Sequence, residues 1–283
     1  MRIIKGIVYF FSTIGALVYW LFQNIRLENF KNYIQKKDRE KPILILGNGP
    51  SLSDDLKNFD VSEYDVCVVN FFANSDLFFQ LKPKFYSLID GDFFENTDER
   101  FIKLVENIRK ADWEICVFVP YIYLKQAKVS LESKTIKLIP VHKTSFLPWM
   151  KYDRLRYHMY RKNLATPSFN NVLVGSLYCL MNSGYSKIYL LGADHSWLGS
   201  MVVDENNVLC LIDSHFYDKT AVKKNPWYKS SMETFKVHEI LATLSMTFEQ
   251  YHIIEKYAEY LGNVLIVNVT KESFIDAFER YKK

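Results

Sequence analysis

The chain has 283 residues, 49% of them hydrophobic, 16% aromatic and 24% charged, with a formal net charge of +4 at pH 7. Such length and apolar content suffice for a substantial core, and the wealth of aliphatic and aromatic residues excludes a disordered polymer. The basic excess is too small for a protein that tracks a phosphate backbone, so no nucleic-acid partner is expected. Cys67, Cys116, Cys179 and Cys210 are widely spaced in mostly apolar runs without a Cys-x-x-Cys pair, and read as reduced core thiols.

In chain order, residues 1–25 come first, and 6–25 among them carry no charge. At about 1.5 Å per residue, a helix over that stretch is just long enough to span a bilayer, with Tyr19 and Trp20 near one end as an aromatic belt. A helix lying in one leaflet and a buried core helix are the other readings. No small-x-small cleavage site follows Phe22 before Arg26, so a membrane anchor is expected in place of a cleaved signal. Arg26, Lys31, Lys36, Lys37, Arg39 and Lys41 outweigh Arg2 and Lys5, so the body of the protein is expected in the cytoplasm.

After a basic linker at 26–41, residues 42–283 fit a single α/β domain. Strand-like apolar runs recur at 43–46, 66–70, 85–89, 115–119, 136–139, 187–191 and 264–267, and helix-length stretches lie at 98–110, 169–182 and 232–261. This alternation predicts a doubly wound, mostly parallel, Rossmann-like sheet with ligands beyond the carboxyl ends of its strands.

The strand ends are polar. The first runs into Gly47-Asn48-Gly49-Pro50-Ser51, where two glycines and a possible helix start suit an anionic phosphate, although an ordinary tight turn has the same composition. The second ends at Asn70, the third at Asp90-Gly91-Asp92, and the sixth at Gly192-Ala193-Asp194-His195-Ser196. Four such ends on one rim point to a shared ligand. Asp90 and Asp92 suit either a divalent metal held against a diphosphate or a plain turn. His195 and His215 are the histidines with chemical promise, since imidazole titrates nearest neutrality. The basic and aromatic run 151–162 reads as a lid, a solvated loop or a membrane-facing surface, and the tyrosine-rich composition suits sugar or membrane contact. Asn268, Thr270 and Ser273 either close a pocket or cap a last helix over 274–281.

Taken in order, Gly47-Asn48-Gly49-Pro50-Ser51-Leu52, Asn70-Phe71-Phe72, Phe93-Phe94-Glu95, the run from Gly184 to Asp194 and Ser214-His215-Phe216 resemble the bacterial sialyltransferases of glycosyltransferase family 42. The chain is also similar to a wider group with that Rossmann-like, GT-A-like domain, including the motility-associated factor glycosyltransferases. The resemblance implies metal-independent, inverting transfer of a sugar from a CMP-linked donor to an acceptor hydroxyl. It implies donor contacts from Asn48 and Asn70, nucleotide contact from Asp194 beside His195 and Ser196, and a donor-side place for Asn171. Asp90 stands where that family has an asparagine, and Lys219 where its histidine base is expected.

The expected protein is therefore a membrane-associated glycosyltransferase with a nucleotide-sugar donor and a glycan or glycolipid acceptor. Its nucleotide site comprises Gly47, Asn48, Gly49, Pro50, Ser51, Asn70, Asp90, Asn171, Gly192, Asp194 and Ser196. His215 is the base, His195 is in reserve, and no cofactor is required. A metal-dependent transferase using Asp90 and Asp92 and a non-catalytic tethered binding protein are the alternatives.

Overall fold

The computed structural model describes residues 2–21, 29–33, 40–57, 59–95, 98–144, 152–212, 224–230 and 233–281. Helix α1 (Arg2–Leu21) precedes β1 (Ile43–Leu46), α2 (Leu52–Lys57), β2 (Asp65–Val69), α3 (Leu77–Leu81) and β3 (Phe85–Ser87). Then come α4 (Asp92–Glu95), α5 (Glu99–Arg109), β4 (Ile115–Pro120), α6 (Leu124–Ser130) and β5 (Ile136–Val141). Helices α7 (Asp153–Arg161) and α8 (Val172–Ser183) lead to β6 (Lys187–Leu191) and the short α9 (Trp197–Ser200). Strands β7 (Met201–Val203), β8 (Leu209–Ile212) and β9 (Lys224–Pro226) form a small antiparallel sheet, and β10 (Tyr228–Ser230) pairs with β11 (Glu233–Thr234). Helix α10 (Val237–Leu261), β12 (Leu265–Asn268) and β13 (Glu279–Arg280) complete the order.

Eight strands form the central sheet in the order β13, β12, β6, β1, β2, β3, β4, β5, and every neighbouring pair is parallel. The fold is α/β and Rossmann-like. Strand β1 is apolar at all four positions because both of its faces are covered: Ile43 and Ile45 pack with α7, α8 and α10, Leu44 and Leu46 with α2 to α6. Helix α8 runs through the core between two readable stops. The Asn171 side chain accepts from the Leu173 N–H at its start, and Gly184 ends it at φ 104°.

Three expectations need correction. No helix among the described residues is long and apolar enough to cross a membrane. Residues 22–25 of the expected span lie outside the described residues. One stripe of α1 is also taken up by the protein: Thr13 and Ala16 are buried, Leu17 and Trp20 pack on the core, and Trp20 Nε1 donates to the Leu164 carbonyl at 2.8 Å.

The helix predicted over 274–281 does not form. Phe274 N donates to the Asp194 carbonyl at 2.9 Å and Ile275 N to Ser273 Oγ at 3.2 Å, which ties the start of this segment to the turn after β6. The chain then adds β13 to the sheet edge beside β12. The basic run 151–162 is helical over α7, whose Tyr157 and Tyr160 are buried against Tyr178 and Tyr257. Much of the tyrosine content is core, not contact surface: Tyr86, Tyr178, Tyr185, Tyr251 and Tyr257 are all fully buried.

Candidate functional site

From β1 the chain winds outward through β2 to β5 on one side, and β6, β12 and β13 occupy the other. The gap beyond β1 and β6 is therefore the topological switch point, the usual ligand crevice of an open parallel sheet. Two turns meet there, 47–51 after β1 and 192–196 after β6. Gly47 N donates to the Leu191 carbonyl at 2.8 Å and Gly49 N to the Gly192 carbonyl at 2.9 Å.

The glycines are required by this close approach. A Cβ on Gly47 would lie 2.3 Å from the Gly192 oxygen, and one on Gly49 would lie 1.8 Å from Asp194 Oδ2. Gly192 itself has φ +64°, in the left-handed region.

Asp194 fastens the two turns. Its Oδ1 accepts from Ser51 N at 3.1 Å and its Oδ2 lies 2.9 Å from Ser51 Oγ, which also lies 3.0 Å from Asp55 Oδ2. A hydroxyl has one proton, so Ser51 can donate to only one of these carboxylates at a time. Burial pushes the Asp194 carboxyl above the usual carboxylate range, and the Ser51 hydrogen bonds oppose that shift.

From behind, β12 and the segment after it hold the second turn. Thr270 Oγ1 accepts from Ala193 N at 3.0 Å, and Ser273 Oγ donates to the Ala193 carbonyl at 2.6 Å. Thr270 and Ser273 thus serve as buttresses, and Ser273 caps no helix.

His195 sits at φ 53°, is 8% exposed, and stacks on Trp197 with ring centroids 4.3 Å apart. Its Nε2 is 2.5 Å from the Tyr251 hydroxyl, which lies 3.0 Å from Asn171 Oδ1. Because Asn171 Oδ1 can only accept, the phenol proton goes to it. His195 must then donate from Nε2, which leaves Nδ1 as the acceptor of the ring. Burial brings the His195 pKa down to about 3, so the imidazole is neutral at ordinary pH.

On the opposite wall, Asn48 Nδ2 donates to the Val69 carbonyl at 3.2 Å. Asn70 adopts φ 51°, and its buried Oδ1 has no hydrogen-bond partner among the described residues. A buried acceptor of this kind costs free energy unless a ligand or water satisfies it.

Together these residues enclose a cleft of about 130 Å³ lined by Gly47, Asn48, Gly49, Pro50, Asn70, Asn171, Gly192, Asp194, His195 and Ser196, with Val69, Val172, Leu173 and Trp197. The start of α8 abuts it, bringing the positive end of a twelve-residue helix to the cleft. Ser51 stands behind this lining.

Asp90 is exposed and outside the cleft, and its Oδ1 accepts from Asp92 N at 3.4 Å in a turn. Burial, with Asp90 and Glu95 nearby, raises the Asp92 carboxyl. Among the described residues, no group of three or more His, Cys, Asp or Glu side chains is gathered to hold a metal ion. His215 lies outside the described residues.

Tyr251, Trp197 and Asp55 carry no local sequence signal of their place. Tyr251 is one tyrosine in a 25-residue helix and meets His195 across 56 positions.

No protein-family model matches the chain, and no curated protein matches it. Among solved structures, it is similar to the MAf glycosyltransferase from Magnetospirillum magneticum AMB-1 at 12% identity and a TM-score of 0.47, over 86% of this chain and 33% of that one. The chain thus spans a third of that protein's length, and a likeness this loose carries no argument about activity.

Proposed function

We propose that the protein is a glycosyltransferase that moves a sugar from a nucleotide-activated donor to a hydroxyl of a surface glycan or lipid-linked precursor. The observation that carries the reading is the switch-point cleft, where Asn70 Oδ1 lacks a partner among the described residues and Asn48, Asn171 and a neutral His195 converge. A nucleoside supplies the hydroxyl and amine donors that such acceptors need, and a phosphate suits the start of α8. The motifs shared with family 42 favour a CMP-linked donor and inverting transfer.

In this mechanism the acceptor oxygen attacks the anomeric carbon as the bond from that carbon to the phosphate oxygen breaks. His215 takes the acceptor proton, and the departing nucleotide keeps the bonding electrons. The positive end of α8 stabilises the charge on the phosphate as it leaves. His195 serves better as a fixed hydrogen-bonding group than as the base, since a buried imidazole with a pKa of about 3 holds a proton poorly.

The site faces the cytoplasm in this reading, and α1 lies in the inner leaflet of the inner membrane. Its outer face supports that placement: Ile4, Phe11 and Leu21 are 68%, 65% and 70% exposed.

Thermal denaturation of the full chain with CMP, UDP, GDP and their sugars tests the donor. CMP compounds should raise Tm, and stabilisation by UDP or GDP compounds alone would overturn the CMP assignment. Nucleotide binding with no turnover of any donor would leave a tethered binding protein in place of a transferase.

A further inference from the structure

A second cavity, of about 480 Å³, opens beside the carboxyl ends of β6 and β12 and shares no lining residue with the cleft. That volume falls in the range of small-molecule sites, roughly 300–1,000 Å³. Leu191, Asn268 and Thr270, each 1% exposed, are rigid parts of its lining. Arg280 is fixed in place, its Nη2 donating to the Thr270 carbonyl at 2.6 Å and the Lys271 carbonyl at 2.9 Å. Neither Arg280 nor Lys271 pairs with a carboxylate within 4.0 Å among the described residues. The remaining charge in the lining is Asp55, already shared with Ser51. Phe59 and Tyr281 add an aromatic wall, with ring centroids 6.3 Å apart at 75°.

Two cations against one carboxylate call for an anion, and a guanidinium pinned by two carbonyls presents its free edge without further ordering. An aromatic wall beside a carboxylate suits the apolar face and hydroxyls of a sugar ring. We propose that this cavity is a second ligand site that takes an anionic sugar, either a free sugar phosphate or sugar acid or the acidic terminal unit of a glycan. The site stands apart from the donor cleft, so it does not depend on the activity assigned above.

Isothermal titration of the full chain in detergent tests it, with glucose 6-phosphate, glucuronate and an oligosaccharide ending in glucuronate as probes. Glucose and inorganic phosphate are the controls. An anionic sugar should bind at least 10-fold tighter than either control, with or without saturating CMP. Arg280→Gln and Phe59→Ala should each weaken it 10-fold or more. Lys271→Ala, on an exposed side chain, gives the same reading if Arg280→Gln disturbs β13. Binding of the monosaccharides identifies a free ligand, and binding of the oligosaccharide alone identifies a glycan. No binding of any anionic sugar to the folded protein, equal binding of inorganic phosphate, or full binding to both Lys271→Ala and Phe59→Ala would overturn the proposal.

Discussion

Gly49 has no room for even one methyl group, since its Cβ would meet both Asp194 Oδ2 and the Gly192 carbonyl oxygen, the latter at 2.6 Å. Gly49→Ala should therefore destabilise the protein by about 1–3 kcal/mol, as overpacking does, read from urea denaturation. The glycines stood out in the sequence as a turn. Their reason did not, because the obstructing atoms belong to a turn more than 140 positions further on. The same distance hid the link from His195 through Tyr251 to Asn171. Tyr251→Phe removes the acceptor for a buried imidazole N–H and should cost about 1–3 kcal/mol. His195 also sets a pH dependence. Its folded pKa, about 3, lies below the roughly 6.5 of an unfolded histidine, so its contribution is complete above pH 6.5 and declines as pH falls toward 3. Urea melts at pH 7 and pH 5 should show the wild type losing up to about 1.4 kcal/mol per pH unit more than His195→Gln.

Among the elements, strands buried on both faces were the most legible: β1, β4 and β6 stand where continuous apolar runs place them, with ends shifted by a residue at most. Elements whose character comes from distant partners were harder to read. Strand β13 is two residues long and exists by pairing with β12, and α7 hides buried tyrosines among basic residues. Helix α1 was legible as apolar but not as attached, since Trp20 and Ala16 reach partners far along the chain. Its outward face gives a direct test. Full-length protein should float with vesicles of phosphatidylglycerol and phosphatidylethanolamine, and Phe10→Ser with Phe11→Ser should reduce flotation several-fold without changing the melting curve. A shift from dimer to monomer in that variant, with flotation unchanged, would assign the face to a second copy of the chain. Basic residues at both flanks favour the anionic lipid.

For the whole molecule, the sheet order places the cleft at the junction of its two halves, and this order is what the sequence left open. Alternation of strands and helices predicted the parallel sheet, but nothing local says that β6 returns to lie beside β1. A nucleotide that occupies the junction at about 100 times its Kd should stabilise the whole fold by about 2.7 kcal/mol, because it binds only when both halves are joined. The same junction has a consequence during synthesis. Strands β1 to β5 can pair as they leave the ribosome, but the other edge of β1 has no partner until residues 187–191 follow. At about 5–20 residues per second that wait is roughly 7 to 28 s. Through that interval a wholly apolar strand presents an open hydrogen-bonding edge, so the nascent chain depends on chaperones, or on the helices already made, to keep neighbouring copies from adding to it.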